Sequence, residues 1–388
     1  MNSKHTTYDF AVELAHKFII TDGHIDFPWR LSKMNSQLEK DFAEIAIKSD
    51  EGDFDFIRAK KGGLSAPFMA IYIPASYQDD LPQAKVLADS LIDMVHGIIH
   101  AHPDKLARGD TPEMIEHNFR QGLISLPMGL ENGAPLIHLN DVQYFYDRGI
   151  RYITLTHGKD NHICDSSYDT THTWGGLSPY GREVVDEMNK VGMIIDVSHI
   201  SDDAYYQVME ISAAPVAATH SSCRFFTPNW ERNMDDAMIK LLGEKDGLIQ
   251  VNFGSDFLDA KVAKKRKENR EELNARLEAA NLKADDDEAK PLIAKFKKEK
   301  PDHYANVEKV ADHFDHVKNI AGIDHIGIGS DYDGLGDSLP AGLKDVSQYP
   351  NLIHELLKRG YSEEEIEKIC YKNFWRVWHK VMEVAKSR

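Results

Sequence analysis

Eight short apolar runs, rich in β-branched and aromatic residues, recur along the chain at 18–21, 68–73, 123–130, 152–156, 193–197, 216–219, 248–252 and 325–329. None is long enough to be a core helix. Most are separated by longer amphipathic stretches, the pattern of parallel strands buried on both faces and joined by crossover helices. Two of those stretches, 181–191 and 201–211, lead into the next run through a Gly or Pro stop signal. Eight such units in 388 residues favour a closed α/β barrel of the TIM type, (β/α)8, over an open doubly wound sheet. Between 256 and 304 the texture changes to a charged segment typified by Lys-Lys-Arg-Lys-Glu-Asn-Arg-Glu-Glu-Leu. This predicts a helical insertion between strands seven and eight, within one catalytic barrel domain spanning 1–388. A solvated surface hairpin is the plain expectation for it; a lid or subunit contact near the mouth is the sharper one.

Composition narrows the function classes. Lys and Arg total 46 against 63 Asp and Glu, a formal charge of −17, so the surface repels nucleic acids and acidic lipid faces. Small-molecule chemistry fits better. Three widely spaced cysteines, Cys164, Cys223 and Cys370, argue against a disulfide framework and a cysteine-held metal. No Gly-x-x-x-x-Gly-Lys-Ser/Thr loop is present. No apolar run is long enough to cross a bilayer, and residues 1–20 lack the pattern of a signal peptide. The chain as given is therefore expected to be soluble: cytoplasmic, or periplasmic or secreted if a signal segment has been removed. Its assembly is left open between a single chain and a homodimer.

In parallel barrels, chemistry sits where strands end and loops begin. Here those positions carry Asp-Gly-His-Ile-Asp from Asp22, Glu-Asn-Gly from Glu131, Thr-His-Gly from Thr156, Ser-His at Ser198, Thr-His-Ser from Thr219 and Ser-Asp-Tyr-Asp-Gly from Ser330. His24 and Asp26 are two apart, so on an extended strand they share a face and can share a cation. His199 and His220 each follow an apolar run, and burying imidazoles beside carboxylates is unfavourable unless they are paired or metallated. Glu131 is the natural carboxylate to bridge two metals. With Glu131 shared, His24, Asp26, Glu131, His199 and His220 give each of two metals three protein ligands, leaving positions for water and substrate. His96, His100, His313, His316 and His354 lie on expected helices and are read as ordinary helix-face residues.

With these residues in view, the chain resembles the membrane dipeptidase (renal dipeptidase, peptidase M19) family of the amidohydrolase superfamily over nearly its whole length. The resemblance rests on the motifs above together with Thr-Leu-Thr-His from Thr154, Asp-Val-Ser-His from Asp196, Arg-Asn-Met-Asp-Asp from Arg232 and Asn-Phe-Trp-Arg-Val from Asn373. It implies two zinc ions per chain, one held by His24, Asp26 and Glu131 and the other by Glu131, His199 and His220. It also implies that His157 contacts the scissile carbonyl, that Arg232 binds the substrate carboxylate and that Asp331 handles the proton. The implied substrates are dipeptides, including those with a D residue at the C-terminal position. The loop after His157 and the insertion after Asp256 depart from the mammalian members, as does the absence of an apolar tail for a lipid anchor.

The expected mechanism is attack on the peptide carbonyl by a hydroxide bridging the two metals, with Asp331 passing the proton to the leaving amine. The planar fork of Arg232 suits a free carboxylate. Another amidohydrolase, acting on a cyclic amide, lactone or phosphoester, is the rival enzyme, and a catalytically silent barrel is the rival of another class.

Overall fold

The computed structural model describes residues 6–34 and 42–388. Eight strands form one parallel sheet in chain order: β1 (Ile20–Ile25), β2 (Leu64–Tyr72), β3 (Met128–Glu131), β4 (Ile150–Thr154), β5 (Ile194–Asp196), β6 (Ala217–Ser221), β7 (Leu248–Val251) and β8 (Ile326–Ile328). A parallel bridge between Ile25 and Tyr332 brings the last strand's end back to the first. The amide of Asp331 donates to His24 O at 3.0 Å and that of Asp26 to Tyr332 O at 2.8 Å, so the ring is sealed at its C-terminal end, where loops carry function. The fold is the TIM-type barrel expected from the alternation of strands and helices.

Strand boundaries shift from the expected runs, β2 for example starting at Leu64 and not at Phe68, and two of the differences have a clear physical reason. The first run was expected to end at Thr21, but β1 continues through Asp22, Gly23 and His24, all buried. Asp22 can be buried because its carboxylate accepts from Tyr349 Oη (2.6 Å), the Ser330 amide (2.9 Å) and the His24 amide (3.0 Å). Gly23 is required because a Cβ there would stand 2.5 Å from both Thr219 O and Gln250 Oε1. The third run, 123–130, divides at Pro127. Ile124–Ser125 pairs with Leu106–Ala107 in a separate two-stranded sheet, and only Met128–Glu131 joins the barrel. Proline has no N–H to continue a ladder, although its carbonyl still accepts from Met69 at 2.8 Å.

The barrel is plugged at its N-terminal end. Helix Asn373–Lys386 drives Phe374 and Trp378 against Phe68, with ring centroids 5.1 and 5.6 Å apart, and Phe68 packs on Tyr152 at 5.5 Å. Asn373 pins the helix by donating to Ile323 O (2.7 Å) and Ile326 O (2.8 Å). Between β7 and β8 lie the helices of the insertion, Ala260–Ala279 and Lys290–Glu299, followed by Val307–Ala321. The first is charged almost all round and buries only Asn269 and Leu277. Arg276 joins the pair through Glu299 at 2.7 Å and stacks over Phe296 at 4.9 Å. Arg266 ties the insertion back to the barrel through Asp256 (2.7 Å) and Asp337 O (2.9 Å). Among the described residues, no helix is long and apolar enough to cross a membrane.

Candidate active site

All eight residues singled out in the sequence lie at the sealed end of the barrel. Asp26, Glu131, His157, His199 and Asp331 line a cavity of about 400 Å³, and His24, His220 and Arg232 stand buried around it. His24 lies within β1, Glu131 ends β3 and His220 lies within β6, so the sheet itself fixes these three. His199 and Asp331 sit just beyond β5 and β8 in left-handed backbone, φ +71° and +63°. Asn132 and Asp333 do the same beside them, at φ +75° and +65°. Such conformations are unfavourable for non-glycine residues and persist where surrounding structure enforces them, as at active sites.

Glu131 stands at the centre. Its Oε2 lies 3.3 Å from His24 Nε2, while its Oε1 lies 3.1 Å from His199 Nε2, 3.3 Å from His220 Nε2 and 3.7 Å from His157 Nε2. One carboxylate thus divides its two oxygens between two sets of imidazoles. Asp26 completes the His24 side at 3.4 Å. The potential ligand atoms gather into three triads, each within 4.8 Å: His24, Glu131 and His220; Glu131, His157 and His199; His24, Asp26 and Asp331.

Neighbouring groups decide which nitrogens are free. Thr219 Oγ1 donates to Asp196 Oδ2 at 2.7 Å, so at 2.9 Å it can only accept the Nδ1 proton of His220. His220 Nε2 then presents a lone pair to the site. It faces His199 Nε2 at 2.7 Å, and that nitrogen also faces Arg232 Nη2, a donor only, at 3.1 Å. Two lone pairs therefore converge. His24 is held by Tyr152 Oη at Nδ1 (2.8 Å), and its Nε2 is buried with no hydrogen-bond partner. Burial pushes the His199 and His220 imidazoles well below their ordinary range, which keeps them neutral, as metal ligands must be. Burial works the other way on Glu131, yet the imidazoles around it, His24 foremost, hold its carboxyl well below the usual range.

Arg232 is buried, donating to Ser221 Oγ and His220 O at 2.8 Å each, and its Nε has no partner. Asp331 accepts from Asn252 at 2.8 Å. Asp333 lines the same cavity but is held by a loop, accepting from the Asp53 amide at 2.6 Å and facing Arg30 at 3.2 Å. Gly334 lets the carboxylates approach, since a Cβ there would stand 2.2 Å from Asp26 Oδ2 and 2.5 Å from Asp331 Oδ1.

A barrel mouth of this kind has clear counterparts among known proteins. Residues 8–388 match the family model described as membrane dipeptidase (peptidase family M19). The chain belongs to that family. It is 33% identical over 95% of its length to dipeptidase aclJ of Aspergillus oryzae, covering 79% of that protein. It is 31% identical over 97% of its length to dipeptidase 3 of Mus musculus, covering 67% of it. Among solved structures, the probable dipeptidase PvdM from Pseudomonas aeruginosa superposes with a TM-score of 0.81 at 25% identity, over 99% of this chain and all of that one. A metallo peptidase from Rhodobacter sphaeroides, liganded with a phosphinate mimic of the dipeptide L-Ala-D-Ala, shares the fold with a TM-score of 0.75 at 23% identity, over 94% of this chain and 99% of that one.

This M19 metallo-dipeptidase also carries site residues that sequence reasoning missed. Trp29, Tyr72, Tyr168, Phe257 and Leu335 line the cavity. Tyr72 ends β2 and Phe257 follows β7, so the strand-end rule that found the histidines would have found them had it been applied to aromatics. Tyr168 had no such signal. It is placed by the loop after His157, where the Ser167 amide donates to His199 O at 2.8 Å and the Ser166 hydroxyl to His157 O.

Proposed function

We propose that this chain hydrolyses the peptide bond of dipeptides, tolerating a D residue at the C-terminal position, with two zinc ions. His24, Asp26 and Glu131 would hold one ion, and Glu131, His199 and His220 the other. The observation that carries this is the division of Glu131, one oxygen toward His24 and the other toward His199 and His220. The donor set fits zinc: imidazole nitrogens and carboxylate oxygens, with the buried Nε2 of His24 facing Asp26 and Glu131 and the lone pairs of His199 and His220 facing each other. When bound, zinc in such a site supplies an acidified water and polarises a carbonyl.

The chain's own residues do the rest. Arg232, cationic and buried beside the cavity, would receive the free carboxylate of the dipeptide and so fix which bond is presented to Glu131 and the histidines. His157, kept neutral by burial, donates a hydrogen bond to the carbonyl oxygen as charge develops on it. Burial, reinforced by the charges of Asp26 and Glu131, pushes the Asp331 carboxyl well above the carboxylate range, the direction needed in a group that carries a proton to the leaving amine. A carboxylate clamp beside a cavity of about 400 Å³ suits a substrate whose free carboxylate lies one residue from the bond cleaved.

The test combines elemental analysis of purified enzyme with hydrolysis of L-Ala-L-Ala, L-Ala-D-Ala and tri-alanine. Two zinc ions per chain, cleavage of both dipeptides and none of the tripeptide is the expected result. Full activity with one metal or fewer would remove the two-metal assignment, and failure to cleave either dipeptide would remove the substrate.

A further inference from the structure

Asn252 stands just past β7, wholly buried, and neither composition nor motif drew attention to it. Its side-chain amide has only one orientation that satisfies its neighbours. The Gly254 amide donates to Asn252 Oδ1 at 2.7 Å, which assigns that atom as the oxygen and turns Nδ2 toward Asp331 Oδ2 at 2.8 Å. The backbone of Asn252 is pinned as well. Its amide donates to Ser221 O at 3.1 Å and its carbonyl accepts from Ser222 Oγ at 3.2 Å, so the donor is fixed to the end of β6, the strand that carries His220.

Asp331 needs such a support. It lies in left-handed backbone at φ +63°, beyond the last residue of β8; its amide is tied to His24 O, but that bond leaves the side chain free to rotate. Its Oδ1 is turned toward the Gly334 side, close to Asp26. A carboxylate in that place has two competing uses. It can rotate and offer both oxygens to a metal beside His24 and Asp26, or keep one oxygen free to hold a proton for the substrate. An amide N–H on Oδ2 favours the second use, because it occupies that oxygen as an acceptor and leaves Oδ1 as the atom that can bear and release a proton.

Resting on the assignment of Asp331 as the proton carrier, we propose that Asn252 is a positioning residue, whose locked amide holds Asp331 Oδ2 and aims Oδ1 at the leaving nitrogen of the substrate. Asn252 itself touches no substrate. Its loss should therefore act through Asp331 alone, lowering kcat while leaving KM, metal content and the affinity for a non-reacting dipeptide analogue nearly unchanged.

The experiment is a double-mutant cycle on the zinc-loaded enzyme with Asn252→Ala, Asp331→Asn and the double variant, assayed on L-Ala-L-Ala, with binding of a phosphinate dipeptide analogue measured by calorimetry. Asn252→Asp serves as a second single variant; it preserves shape and the acceptor for Gly254 while removing the amide donor, in case the alanine variant fails to fold. The expected result is a fall in kcat of about 10-fold or more in the single Asn252 variants, with analogue affinity within about 3-fold of the parent. The double variant should be no slower than Asp331→Asn, because a support has nothing left to hold. The proposal is overturned if folded Asn252 variants keep parental kcat while Asp331→Asn is impaired, or if the two defects multiply in the double variant. A fully active Asp331→Asn enzyme would instead remove the proton-carrier assignment on which it rests.

Discussion

The two ends of the barrel are made of opposite materials. At the N-terminal end, Phe68, Tyr152, Phe374 and Trp378 pack ring against ring, and apart from the indole N–H groups of Trp375 and Trp378 little there is polar and unpaired. At the C-terminal end, carboxylates and imidazoles crowd together, His24 Nε2 faces two carboxylates, Arg232 Nε has no hydrogen-bond partner, and four non-glycine residues occupy left-handed backbone. Burying rings stabilises a fold, whereas burying charges and strained backbone destabilises it unless something binds them. The plug therefore supplies stability that the mouth spends on chemistry. Tyr152 joins the two, its ring in the plug and its hydroxyl on His24.

That contrast can be broken first at Glu131. Glu131→Gln should lose both zinc and activity, with turnover down on the order of 1,000-fold or more, because a neutral amide cannot offset two cations. The metal-free fold should nevertheless survive, since the plug is untouched. Elemental analysis, kinetics and thermal unfolding of one preparation check all three; retention of both metals and near-normal turnover would end the bridging role.

The reverse experiment is Trp378→Ala, which should destabilise the protein by about 3–5 kcal/mol through loss of a fully buried indole. Turnover per folded molecule should hardly change. Denaturant unfolding and active-site-normalised kinetics measure the two; a large fall in normalised kcat would mean that plug and mouth are not separable.

Within the mouth, Asp331→Asn should cut turnover by about 100-fold or more while leaving zinc content and folding nearly intact. Asp333→Asn should mainly disturb the loop that Asp53 and Arg30 hold. An active Asp331→Asn enzyme would exclude Asp331 as the proton carrier.

The smallest effect concerns pH and a residue behind the mouth. His313 is fully buried, accepting at Nδ1 from the Cys223 amide at 3.0 Å and donating from Nε2 to Leu258 O at 3.1 Å, and burial pushes its imidazole down to about 4. The unfolded chain, with an ordinary imidazole, therefore takes up this proton first as pH falls. Stability from this site is complete above about 6.5 and is lost as pH drops toward 4, by ~2 kcal/mol between pH 6.5 and 5. Denaturant midpoints at several pH values, compared with His313→Gln, should show the variant's stability changing less over that interval; identical slopes would remove His313 as the cause.

The sequence reading of His313 as an ordinary helix-face residue missed this role, because helical periodicity reports which face is apolar and not which loop a ring nitrogen reaches. The same limit explains Asn252 and Tyr168. Asn252 meets Asp331, distant in the chain, and the Tyr168 ring lies 5.8 Å from that of His199, placed there by loop backbone that has no period.

What the sequence determined by itself was the barrel and the membership of its rim. Alternating β-branched runs and amphipathic stretches leave few ways to bury every strand on both faces, and polar residues at the ends of such strands must meet in one ring. That logic was enough to gather His24, Asp26, Glu131, His157, His199, His220 and Asp331, whereas Arg232, which lies well beyond the end of β6, was reached only through the family resemblance. Only the tertiary structure decided how they face one another. Strand register, the left-handed turns at His199 and Asp331, and the space left by Gly334 set which oxygen of Glu131 meets which imidazole. Those arrangements depend on contacts between residues far apart in the chain, and a linear pattern carries no record of distances across a closed ring.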